Sequence, residues 1–228
     1  MVSLRLEWET LASRPRHSIT ETEIKTLLNK SQDLDTKLTM WAHSAPPNWK
    51  PVPASIIPQS VRDAGVFKDR CDCYSDVWVA TTWNSYRDSR IVVQNIILSC
   101  LRMLSNASSN SSDNSQVRSQ WSTAKSAIQT LTTDICASIP FLLGSQMESI
   151  QMNPHPHRVE YPEAEEKRLT YAHQQTAPLL GGWFILGFLG NLCTSGVGFG
   201  CLDGELLAWM RGQMQRVLQI YTFGRGLC

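Results

Sequence analysis

Apolar residues recur at steps of three and four along most of this chain. Ile24, Leu27, Leu28, Leu34, Leu38 and Trp41 keep the spacing of one helical face. Directly ahead, Thr20 and Glu23 form a T-x-x-E capping box, which predicts a helix starting there. Pro46, Pro47, Pro51, Pro53 and Pro58 then forbid both helix and central strand. They predict an extended surface segment anchored by Trp49, Ile56 and Ile57.

The pattern resumes at Tyr74. Val77, Trp78, Trp83, Tyr86, Val93, Ile97, Cys100, Leu101 and Leu104 repeat the same steps, with no Gly or Pro between Tyr74 and Leu104. At a rise of about 1.5 Å per residue this is a helix roughly 45 Å long, predicted to be the core of the domain. The polar run SNASSNSSDNSQ has nothing to bury and predicts a flexible loop over 105–119. Helical spacing returns at Trp121, Ala124, Ile128, Leu131, Ile135 and Ile139, with Pro140 bending or ending the helix. Asn153 to Tyr161 reads as a connection and Glu163 to Arg168 as a charged helix start. An apolar helix from Ala177 to Leu189, a glycine-rich turn, and an amphipathic helix carrying Leu206, Met210, Val217 and Tyr221 complete the chain. No segment alternates with period two for long enough to be a credible strand, and no internal period is found. The expectation is an all-α fold: a single globular domain over 1–228, with about six to eight crossing helices around a long central one.

Length and composition fit that picture. The 228 residues lie near the upper end of what one core supports, and 42% of them are hydrophobic. Net charge is +1, with 21 basic residues scattered among 20 acidic ones, so the concentrated positive footprint of a nucleic-acid binder is missing. Arg14, Arg16 and His17 read as a solvated helix entry. Charges at Arg5, Glu7 and Glu9 interrupt any secretory apolar run, so the expected location is intracellular, nuclear or cytoplasmic, and not secreted. Seven cysteines at irregular spacing then read as reduced core thiols, and the glycosylation-like triplets at Asn106 and Asn110 as coincidence. From Ala177 to Leu202 there is no charged residue, yet the apolar part covers only Leu179 to Leu189. A membrane span needs about 20 residues, so a buried helix is expected instead.

Few constellations carry chemistry. Cys71 and Cys73 lack the second pair that a structural zinc site requires, and the proline between His155 and His157 stiffens their loop without aiming it. No metal and no cofactor is expected. Nucleophile elbows, phosphate loops and dinucleotide fingerprints are missing too, and Cys136 on an apolar helix face reads as an inert thiol. The long helix remains. Asp76, Arg87, Asp88 and Arg90 share it with Trp78, Trp83 and Tyr86, several at steps of three or four, so polar groups line an aromatic stripe. One reading makes these residues core, with the arginines paired to neighbouring helices. The other makes them the lining of a cavity for a mostly apolar ligand bearing a few oxygens.

Asp72 to Cys100, DCYSDVWVATTWNSYRDSRIVVQNIILSC, and Asp134 to Gly144, DICASIPFLLG, resemble the C-terminal regulatory regions of fungal binuclear zinc-cluster transcription factors. PPNWKP, Pro46 to Pro51, resembles the link ahead of those regions, and Trp183 and Phe184 stand where an aromatic-rich helix is expected. The six-cysteine DNA-binding cluster and the coiled-coil linker of that family have no counterpart, so the resemblance implies the regulatory part alone. It implies a stand-alone helical module that binds an apolar small molecule or a protein partner such as a related transcription factor, without DNA binding of its own. The alternative is a cofactor-independent enzyme of fungal secondary metabolism on the same scaffold, a cyclase, isomerase or dehydratase acting on a polyketide or terpenoid. Under that alternative Tyr86 and Arg87 are the hydrogen-bond donors and Asp76 and Glu160 the acid/base groups. Trp78, Trp83, Arg90 and Trp183 line the ligand site under either reading.

Overall fold

The computed structural model describes residues 2–63, 65–106, 111–144, 180–192 and 201–222. Seven α-helices lie among them: α1 (Val2–Ala12), α2 (Glu21–Ser44), α3 (Gln59–Asp63), α4 (Val77–Ser105), α5 (Ser111–Leu142), α6 (180–192) and α7 (Gly204–Thr222). The described strands, β1 (Val52–Pro53) and β2 (Asp72–Cys73), make one antiparallel pair with Val52 opposite Cys73. The fold is all-α, as the periodicity indicates, and none of the described helices is long and apolar enough to cross a membrane.

The chain forms two compact units. The first holds Met1–Ser44 and Tyr86–Thr132, the second Ala45–Ser85 and Thr133–Cys228. Helices α4 and α5 therefore each contribute to both.

In the first unit the capping box at the head of α2 forms as read. The Thr20 N–H and hydroxyl donate to Glu23 Oε2, each at 2.8 Å, and the Glu23 N–H donates back to Thr20 Oγ1 at 3.3 Å. Helix α1, too charged to stand out by periodicity, buries Leu4 and Leu11. It is tied to α2 by Lys30 to Glu7 at 2.8 Å, while Arg14, just beyond its end, reaches Glu23 at 2.7 Å.

Helix α5 corrects the expected loop. It starts at Ser111, so residues 111–119 are helical although their composition suggests a loop. Nothing between Ser105 and Ile139 is Gly or Pro. Once buried Ala124 and Ile128 anchor the helix, extending it backwards adds one hydrogen bond per residue fixed. At the other end the helix passes Pro140 and stops two residues later, at Leu142.

In the second unit, β2 and its flanks bring Cys71, Asp72, Cys73 and Tyr74 to 1% exposure. Helix α6 packs so closely on the end of α5 that a Cβ on Gly181 would lie 2.1 Å from the Leu142 carbonyl oxygen. Only glycine allows that approach. Asp203 caps α7 by accepting the Leu206 N–H at 2.6 Å, and Leu206, Met210 and Val217 are fully buried.

Candidate functional site

The sequence stretches that carry the family resemblance meet in the second unit. Arg70, just ahead of the first, binds Asp72 with Nε at 3.2 Å and Nη2 at 2.9 Å, and reaches Asp134, the first residue of DICASIPF, with Nη1 at 2.7 Å. One turn further along α5, Asn84 Nδ2 donates to Ser138 Oγ at 2.8 Å, and that hydroxyl donates to the Ile135 carbonyl at 2.7 Å. Tyr74 and Phe141 pack ring to ring, 5.4 Å between centroids. The PPNWKP segment joins through the Trp83 indole N–H, which donates to the Trp49 carbonyl at 2.6 Å. Phe184, beside Trp183, meets Trp78 edge-on at 6.0 Å, so every quoted segment finds a partner in another quoted segment or beside it.

The electrostatics are those of a closed core. Burial would lower the Arg70 pKa, but the Asp72 and Asp134 carboxylates outweigh it and raise the value. Burial, with Asp72 adjacent, pushes the Cys71 thiol up to about 11, and burial alone pushes Cys100 up to about 12. Both thiols are therefore protonated at neutral pH, which leaves neither poised as a nucleophile. Among the described residues no group of three or more His, Cys, Asp or Glu is arranged to hold a metal ion.

A second polar cluster lies in the first unit. Arg90 binds Asp35 of α2 through Nε at 2.7 Å and Nη2 at 3.0 Å, and donates from Nη1 to the Tyr86 hydroxyl at 3.0 Å. The Tyr86 ring stacks on Trp41 at 5.2 Å. Here too burial would lower the Arg90 pKa, and the hydrogen bonds it donates to Asp35 and Tyr86 outweigh that and raise the value.

The residues singled out from the sequence therefore fall into different units. Tyr86, Arg87 and Arg90 belong to the first; Asp76, Trp78, Trp83 and Trp183 belong to the second. Asp76 is the N-cap of α4, accepting the Val79 N–H at 2.6 Å. Arg87 is 2% exposed and Trp83 is buried, whereas Trp78 and Trp183 are 57% and 68% exposed. Glu160, His155, His157 and the glycines at 196, 198 and 200 lie outside the described residues. A shallow, open groove of about 460 Å³ runs along α1, lined by Ser3, Leu6, Glu7, Thr10, Leu11 and Arg14, none of them a candidate from the sequence.

Sequence reasoning missed Asp35, Arg70 and Asp134. A signal existed for one of them: both quoted segments open on an aspartate, and only a nearby cation makes two such carboxylates tolerable in a core.

No family profile matches the chain, and no solved structure does. Among curated proteins it is similar to transcription factor dbaG of Emericella nidulans, 30% identical over 145 residues that make up 62% of this chain and 32% of that protein. The chain spans about a third of the length of this relative.

Proposed function

We propose that the chain is a transcription-factor-like regulatory module, a helical scaffold that engages an apolar ligand or a protein partner and has no affinity of its own for duplex DNA. The observation that carries this reading is the mutual packing of the quoted segments. Asp72 with Asp134 through Arg70, Asn84 with Ser138, and Tyr74 with Phe141 make the resemblance one of architecture, the level on which a regulatory region is recognised. The similarity to a fungal transcription factor supports it. So does the balance of 21 basic against 20 acidic residues, which offers phosphates no concentrated partner.

The test is functional. Fused to a heterologous DNA-binding domain, the chain should change transcription from a reporter carrying that domain's site, and Tyr74→Ala should abolish the change. The unfused chain should not shift a duplex probe at low salt. Tight, salt-sensitive duplex binding by the unfused chain, or a reporter indifferent to the fusion, overturns the proposal.

A further inference from the structure

The outward face of α6 carries no charge and an ordered sequence of sizes. Leu180, Trp183, Gly187 and Gly190 follow at steps of three, four and three, the spacing of a seam between paired helices. Leu180 and Trp183 stand 40% and 68% exposed. Among the described residues nothing lies within 4 Å of where a side chain would begin at Gly187 and Gly190. The opposite side of the helix is spoken for, since Ile185, Leu189 and Leu192 are buried. No Asp, Glu, Lys or Arg occurs from Ala177 to Leu202, so covering this face removes no charge from water.

We propose that this face pairs with a second copy of the chain, α6 against α6, antiparallel about a two-fold axis near Ile185. In that register Trp183 lies over the partner subunit's Gly187 and Leu180 over the partner subunit's Gly190, and the symmetry repeats both contacts. Each bulky side chain thus meets a recess. A parallel pairing sets tryptophan against tryptophan and glycine against glycine, leaving collisions beside voids. Trp78, 57% exposed and edge-on to Phe184 at 6.0 Å, extends the surface at its rim.

Size supports a second copy held weakly. With about 150–250 Å² per aromatic side chain, the exposed parts of Trp183, Trp78, Phe184 and Leu180 amount to about 400 Å² per copy. Close approach over the glycines adds backbone surface. The pair then buries on the order of 1,000 Å², the lower limit for a specific interface and the range of a concentration-dependent dimer.

Sedimentation of the full chain from low to several hundred micromolar should show a reversible dimer. Trp183→Ala removes the knob and Gly187→Trp fills the recess, and each alone should weaken the dimer by about 30-fold or more. The double variant puts the knob at 187 and the recess at 183, so the antiparallel fit returns and most of the lost affinity with it. Both positions face solvent in the single chain, so the thermal midpoint should hold in all three variants. A chain that stays monomeric throughout, a dimer indifferent to the single variants, or a double variant as weak as its parents overturns the pairing.

Discussion

Arg70 and Arg90 make nearly the same set of bonds in different surroundings. Each guanidinium grips one carboxylate with two nitrogens and sends a third to another oxygen: Arg70 to Asp72 and Asp134, Arg90 to Asp35 and the Tyr86 hydroxyl. The carboxylate that Arg70 grips with two nitrogens is sealed, since the Asp72 side chain is 1% exposed and sits among Cys71, Cys73 and Tyr74, whereas its second partner Asp134 is 23% exposed. The partner of Arg90 is not, because 20% of the Asp35 side chain meets solvent. A polar group on an aromatic stripe is therefore not in itself a sign of chemistry. What matters is how far water can replace the partner once it is lost, and Asp72 can be reached only through the opening that Arg70, itself 40% exposed, would leave.

The largest effect should come from emptying that sealed core. Tyr74→Ala removes a ring that is 1% exposed and stacked on Phe141, and should destabilise the protein by about 3–5 kcal/mol in urea denaturation. Arg70→Met comes next. It takes the two-nitrogen grip away from Asp72; breaking a wholly buried pair costs about 3–5 kcal/mol, and because Arg70 itself is 40% exposed about 2–3 kcal/mol is expected. Arg90→Met should cost less, about 1–2 kcal/mol, because Asp35, 20% exposed, regains part of its hydration. If Arg90→Met proves as costly as Arg70→Met, the distinction drawn from exposure is wrong. Tyr86→Phe should fall below Arg90→Met, at about 0.5–1 kcal/mol, since it takes away one hydrogen bond and leaves the bidentate pair.

Much of this was legible in the sequence, and the illegible part has a physical pattern. The Thr20–Glu23 box and the unbroken run from Tyr74 are local signals; the first helix forms at its box, and the second forms along its run but begins at Val77, after the Asp76 cap. The start of α5 was not legible, because composition says which residues need burial but not how far an anchored helix extends. The structural role of Asp76 is not legible from spacing for a related reason. An aspartate just ahead of a helix can cap it, and Asp76 Oδ1 accepts the Val79 N–H. Arg90 pairs with a neighbouring helix, and its partner Asp35 lies 55 positions away, beyond any spacing rule.

The smallest effect belongs to the exposed cap of the first unit, where pH reads the interaction directly. Hydrogen bonds from the Arg14 guanidinium and then from the Thr20 N–H and hydroxyl hold the Glu23 carboxyl at about 2 instead of 4.5. A carboxyl lowered by folding lends stability that is present above 4.5 and lost as pH falls towards 2. An NMR titration should therefore find Glu23 still ionised at pH 3.5, where exposed glutamates are already mostly protonated. Arg14→Ala should move its midpoint up, because that removes the largest cause while the Thr20 bonds remain. A Glu23 midpoint near 4.5 in the unsubstituted protein would mean that the cap and its arginine exchange with water faster than they bind, and would reduce α1 and α2 to neighbours joined by Leu4, Leu11 and the Lys30–Glu7 pair alone.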